Sequence, residues 1–101
     1  MALLLLLPRG AAAAAEVTVA LGVHDTGFDP ALVETPAGAK IRLEVTNHTA
    51  SAIEFESFEL NRERVVQPGQ TVAVYLSDLT ADAYEFFDDF HPERRGVLRV
   101  K

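Results

Sequence analysis

The strongest constraint on this chain is a period of two that recurs along its length and is repeatedly cut by turns. Val17, Val19, Leu21 and Val23 fall on one face of the stretch 16–23. Ile41, Leu43 and Val45 do the same in 40–47, and Val72, Val74 and Leu76 in 71–76. In 52–57, Ile53 and Phe55 face one way and Glu54 and Glu56 the other. Successive side chains of an extended chain point to opposite faces, so each stretch predicts a strand with one buried side. Between them stand groups of turn residues: His24-Asp25-Thr26-Gly27, Pro36-Ala37-Gly38-Ala39, His48-Thr49-Ala50-Ser51 and Gln67-Pro68-Gly69-Gln70. Shorter extended pieces at 31–35 and 64–66, and a closing strand Gly96–Val100, complete the pattern. The connection 77–82 has room for one helical turn, and no segment keeps a helical period. The prediction is an all-β fold, a Greek-key β-sandwich of about seven or eight strands. Alternation alone leaves the topology open, because an immunoglobulin-like sandwich would produce the same string.

Residues 1–15 stand outside this pattern. Leu3 to Leu7, Pro8, Arg9, Gly10 and an alanine run to Ala15 read as a secretory signal peptide with an A-x-A-like cleavage site at Ala13-Ala14-Ala15. The leader departs from the usual form in having no Lys or Arg ahead of the apolar run, and in Arg9 interrupting it. Residues 16–101 are expected to form one domain, exported to the periplasm or secreted, without a membrane-spanning segment. Arg9 leaves with the leader, so 16–101 carries eight basic and fifteen acidic side chains, a net charge of −7. That balance disfavours nucleic acid and anionic membrane as partners and is compatible with cations. There is no cysteine, which removes disulfide, zinc–thiolate and thiol chemistry.

The chemistry is concentrated in Tyr84-Glu85-Phe86-Phe87-Asp88-Asp89-Phe90-His91-Pro92. Tyr84, Phe86 and Asp88 share one parity, placing a carboxylate on a core-facing row, where it must be neutralised, paired or bound to a cation. Asp89 and His91 add two further ligand types, and His48 follows Asn47 at the end of a strand. Carboxylates with one or two imidazoles suit Fe(II), Fe(III), Mn(II), Zn(II) or Cu(II). The alternative is a turn in which Asp88 and Asp89 pair with Arg94 or Arg95. Glu54 and Glu56 form a second candidate site, with Glu59 and Glu63 nearby, the pair standing on one face roughly 7 Å apart by strand rise. Arg62 and Arg64 are close enough in sequence to neutralise them, which would leave an ordinary solvated face. Phe87 and Phe90 fall on the other parity, as a cover for the site or a docking patch. No serine sits in a nucleophile setting, which disfavours a hydrolase.

With these residues in hand, the chain resembles the cupredoxins. The landmarks are FDP at 28–30, PAG at 36–38, VTN at 45–47, PGQT at 68–71 and YEFFDDFHPERRGVLRV at 84–100. The resemblance implies that His91 matches a copper-binding histidine, that Asp88 stands where the copper-binding cysteine would be, and that the methionine position falls near Arg94 or Arg95. The family's first histidine falls near Ile53 or Glu54. A blue-copper centre needs the thiolate, so none can form here. The stretch AIEFESFELNRERVVQPGQT, with YEFFDDFHP, is similar to the cupredoxin-like domains that accompany bacterial iron permeases. That implies a periplasmic metal-binding protein serving iron uptake, with iron, copper or both as its metal. It further implies a membrane permease or another periplasmic uptake component as partner, and a possible ferrous-iron oxidation before hand-over. The implied ligand set is Asp88, Asp89, His91, Glu54, Glu56 and His48. Two other classes remain open: a non-blue copper carrier, and a metal-free interaction module on the same frame.

Overall fold

The computed structural model describes residues 14–101. The expected signal peptide falls almost wholly outside them. Nine strands run in chain order: β1 (Glu16–His24), β2 (Gly27–Asp29), β3 (Leu32–Thr35), β4 (Lys40–Asn47), β5 (Ile53–Ser57), β6 (Arg62–Val66), β7 (Thr71–Leu76), β8 (Asp82–Asp88) and β9 (His91–Val100). They form two sheets, ordered β2-β1-β4-β7 and β3-β9-β8-β5-β6, which face each other as a sandwich. The chain changes sheet between β2 and β3, β3 and β4, β4 and β5, β6 and β7, and β7 and β8. These crossings make the β1–β4 and β3–β9 pairs parallel, while the other pairs are antiparallel.

Every alternating stretch read from the sequence is a strand with the expected face inward. Leu21, Val23, Ile41, Leu43, Val45, Ile53, Phe55, Val72, Val74 and Leu76 are all buried. At the centre, Phe86 lies between Phe28, edge-on at 4.9 Å between ring centroids, and Phe55, stacked at 5.5 Å. Gly96 sits opposite Phe86 on β9, and a Cβ there would run into the Phe86 ring. The glycine is therefore needed to seat the largest core side chain. Gln67-Pro68-Gly69-Gln70 is a β-turn closed by Gln70 N–H donating to Gln67 C=O at 3.0 Å, with Gly69 at φ 76°, the position where a type II turn requires glycine.

Three details differ from the sequence reading. The connection 77–81 contains no helical turn, and no helix occurs among the described residues. Gly27–Asp29, directly after the first turn, is a strand of its own, and the short piece at 64–66 extends back to Arg62, which brings the strand number to nine. The last strand begins at His91 rather than Gly96, so the expected ligand loop after β8 shrinks to the two-residue turn Asp89-Phe90 of a β-hairpin.

Candidate metal sites at one end of the sandwich

The C-terminal ends of β1, β4 and β8 and the N-terminal ends of β5 and β9 meet at one end of the sandwich. Asn47 knots the loops there. It is fully buried, its amide nitrogen donates to Ser51 C=O and Val66 C=O at 2.9 Å each, and its side-chain oxygen accepts from Thr49 N–H at 2.8 Å and Thr49 Oγ1 at 2.7 Å. The amide thus has both of its donor hydrogens and both acceptor positions filled, as a buried amide needs.

Two acidic groups lie beside this knot, on opposite faces of the same sheet. The inner one is Asp88, which has no solvent exposure. Its Oδ1 accepts from Glu54 N–H and from Phe90 N–H, each at 3.0 Å. Its Oδ2 accepts from Arg94 Nη1 at 3.1 Å, with His91 Nδ1 at 3.4 Å. Arg94 is itself buried and reaches on to Asp25 in the β1–β2 turn, Nη2 to Oδ1 at 3.5 Å. The pairing has a local cause. Opposite Phe87 the β8–β9 register is regular, Phe87 to Arg95, but Asp88 then pairs with His91, leaving Pro92, Glu93 and Arg94 as a bulge. Arg94 keeps the inward parity of Gly96, Leu98 and Val100, so its guanidinium enters the sandwich where Asp88 does.

The outer group is Glu54, Glu56 and Glu63. Glu54 and Glu56 point away from the core on β5, and Glu63 lies directly across from Glu56 on β6. One carboxylate oxygen from each lies within 4.8 Å of the others. Among the described residues no Lys or Arg pairs with any of the three. Arg62 and Arg64, expected to neutralise them, instead reach across to the edge of the other sheet. Arg62 donates to Tyr75 C=O from Nε and Nη2 at 3.2 and 3.1 Å, and Arg64 Nη1 donates to Ala73 C=O at 3.1 Å. The two guanidinium groups cap free carbonyls of edge strand β7. The outer carboxylates are left to share protons. Contact with the Glu63 carboxyl, partial burial, contact with Glu56, and the negative charges of Glu63 and Asp89 push the Glu54 carboxyl up from 4.5 to about 7.

The two candidate groups read from the sequence stay separate. Asp88 and His91 belong to the buried pair with Arg94. Asp89 sits in the hairpin turn, its N–H donating to Glu54 C=O at 2.9 Å. His48 stacks on His24, ring centroids 4.7 Å apart and planes 9° from parallel. Lone pairs of parallel stacked rings do not converge on one ion. Glu54 and Glu56 do come together, and they gain Glu63, which lies near them in the sequence but is not in the implied ligand set. The antiparallel pairing of β5 with a strand starting at Arg62 is the signal that would have found it. Phe87 is buried on the outer face beneath Phe58, at 5.3 Å, and the Arg95 guanidinium, at 5.1 Å, while Phe90 is half exposed at the hairpin tip.

The model of the family described as cupredoxin-like domain matches residues 1–100. This chain belongs to the cupredoxin-like domain family. An uncharacterized protein of Rickettsia prowazekii (strain Madrid E) is 39% identical over 75 residues, 74% of this chain and 60% of that protein, so the chain spans well short of that relative's length. Among solved structures, the metal-binding domain of the Cu(I)-exporting P-type ATPase of Streptococcus pneumoniae D39 superposes with a TM-score of 0.77 at 12% identity, covering 88% of this chain and 96% of that one. Auracyanin A, a blue copper protein of Chloroflexus aurantiacus, gives 0.68 at 17% identity, covering 85% and 99%. The blue copper oxidase of Nitrosomonas europaea gives 0.71 at 14% identity over 85% of this chain and 39% of that protein. At these identities the likeness is one of fold. The copper that the fold brings to mind does not fit the residues present as a blue centre. There is no thiolate, and the buried carboxylate of Asp88 is already bound by an arginine.

Proposed function

We propose that this domain is an exported metal carrier of iron uptake, holding Fe(II) or Fe(III) transiently on Glu54, Glu56 and Glu63 for hand-over to a membrane permease. The observation that carries this reading is three converging carboxylates with no Lys or Arg among the described residues paired to them, while both nearby arginines are turned away. All-oxygen, anionic ligands favour harder ions, and they favour Fe(III) over Fe(II). The site is half-open, with Glu54 and Glu56 partly buried and Glu63 exposed. An open site with exposed ligands exchanges its ion readily, which fits cargo better than a resident cofactor. The similarity of AIEFESFELNRERVVQPGQT to permease-associated domains supports the direction of hand-over and a periplasmic or secreted location. No helix among the described residues is long and apolar enough to cross a membrane.

The test is anaerobic calorimetric titration of the protein with Fe(II), and separately with Cu(II). One Fe(II) site is expected, weakened at least tenfold in Glu54→Gln/Glu56→Gln and unchanged in His48→Ala. Oxygen admitted to the loaded protein then reports whether the bound ion is oxidised faster than free Fe(II). Equal affinity in the double variant, or no Fe(II) binding, overturns the proposal. Binding of Cu(II) alone, lost in His48→Ala or His91→Ala, would make the domain a copper carrier instead.

A further inference from the structure

We propose that a cleft at the opposite end of the sandwich from the acidic groups binds a small, flat organic anion carrying two or more negative charges, as carboxylates or a phosphate. The cleft is open and about 690 Å³ in volume. It lies where the N-terminal ends of β1 and β4 meet the C-terminal end of edge strand β7. Lys40, Arg42 and Arg62 line it against a single carboxylate, that of Glu16. The sign is therefore positive in a domain whose overall balance is eight basic against fifteen acidic side chains. The strands bring the cations together. Lys40 and Arg42 stand two residues apart on the outward face of β4, and Arg42 pairs across to Tyr75 on β7. The Arg42 guanidinium lies 5.6 Å from the centre of the Tyr75 ring, which is 61% exposed. Arg62 arrives from the other sheet. Its Nε and Nη2 donate to Tyr75 C=O, and its Nη1 donates to Leu60 C=O at 3.1 Å and Asn61 C=O at 3.0 Å.

These contacts fix the cations without neutralising them. Backbone carbonyls hold the Arg62 guanidinium in place but carry no net charge, so its ordering cost is met on folding rather than on binding. Among the described residues no carboxylate lies within ion-pair distance of Lys40 or Arg62, although acids outnumber bases in the chain. Glu16 stands beside Lys40 in register and still does not pair with it. Arg42 is shared with Glu44 at 3.2 Å, a solvated pair that holds its cation weakly. A concave surface lined by one sign of charge focuses potential, and a guanidinium fork matches a carboxylate or phosphate. Ile41 and Leu76 on the cleft's apolar side, and the open face of the Tyr75 ring, suit a flat apolar body between the charged groups. A bare inorganic ion would leave that apolar surface uncovered. The volume is that of a small-molecule site. The cleft shares no residue with the outer glutamates, so this proposal and the metal site fail separately.

The experiment is a titration of the metal-free full chain, followed by amide chemical shifts, with benzene-1,3-dicarboxylate and separately with phenyl phosphate. Saturable shifts are expected at Lys40, Arg42, Tyr75 and Ser77, with a Kd below about 1 mM for at least one of the two. Binding of only one supports the site and names its oxyanion as carboxylate or phosphate. Pentanedioate, with the same charge and the same spacing of carboxylates but no ring, should bind about fivefold more weakly or worse, and Tyr75→Ser should remove that difference. Lys40→Gln/Arg42→Gln should weaken the aromatic anions about tenfold or more while leaving the fold and the Fe(II) titration unchanged. Glu54→Gln/Glu56→Gln should leave anion binding intact. The proposal is overturned by the absence of saturable shifts with both aromatic anions, by equal affinity in Lys40→Gln/Arg42→Gln, or by pentanedioate binding as tightly as benzene-1,3-dicarboxylate.

Discussion

Asp88 and Glu54 are joined by a hydrogen bond, backbone N–H to carboxylate, yet their carboxyl groups live under opposite rules. The Asp88 side chain points inward and is met by a guanidinium and two backbone N–H groups. The Glu54 side chain points outward and is met by two more carboxyls, with Asp89 close by. One sheet thus separates an acid whose counter-charge is supplied by the chain from acids that no Lys or Arg among the described residues neutralises. The lesson is that burial demands an internal solution to charge. A partly solvated face can leave the charge unsolved and available for a proton or a metal ion.

The largest expected effect comes from breaking the inner solution. Arg94→Ala strands a buried carboxylate, and destabilisation of about 3–5 kcal/mol is expected by chemical denaturation. The same measurement on Glu63→Gln should show no loss, or a gain, because it relieves like-charge crowding. A loss in Glu63→Gln comparable to that in Arg94→Ala would erase the distinction between the two groups.

Next is Asn47→Ala, which leaves buried carbonyls and the Thr49 N–H without their partner. It should cost about 2 kcal/mol or more and loosen the loops on both sides of the acidic groups. Faster amide exchange at Thr49 and Gly69 would report that loosening.

The pH response sharpens the comparison further. The Glu54 carboxyl is raised from 4.5 to about 7 in the folded protein, so the folded state holds a proton that the unfolded state has released. The stability this contributes is full below about 4.5 and is lost as pH rises through about 7. Glu54→Gln should flatten that fall in the denaturation midpoint between those limits. Iron binding should run the other way, tightening as pH rises through 7 and releasing protons, because the ligands must be deprotonated. Calorimetry in buffers of different ionisation enthalpy counts those protons, and a count of zero would place the ion elsewhere.

The smallest expected effect tests the edge. Arg64→Ala frees one carbonyl of β7 at Ala73. It should change stability by well under about 1 kcal/mol, since water can replace the donor at an exposed position. It should leave iron affinity nearly unchanged, because this guanidinium does not touch the carboxylates.

Much of the inner arrangement was legible in the sequence. Asp88 shares parity with Tyr84 and Phe86, and Arg94 shares parity with Gly96, Leu98 and Val100. Two opposite charges on the inward rows of adjacent strands are an ion pair waiting for a register. The sequence reading held the pairing of Asp88 with Arg94 or Arg95 as its alternative and favoured a ligand loop, because the bulge at Pro92–Arg94 hid the start of β9. The outer site was half legible. Glu54 and Glu56 follow from alternation alone, whereas Glu63 required knowing that β6 starts at Arg62 and folds back on β5 with Glu63 opposite Glu56. The direction of Arg62 and Arg64 was not legible at all, since their acceptors are backbone carbonyls of a strand in the other sheet.

By itself the sequence determined the class of fold, the inward faces, the absence of a thiolate and the identity of the acidic residues. Those follow from local rules: side-chain alternation, turn chemistry and composition. Only the tertiary structure decided which acids are neutralised by the chain and which are not. That depends on register, on a bulge, and on which sheet edge lies within reach of a long arginine side chain. These are distances between residues far apart in the chain, and no local pattern encodes them.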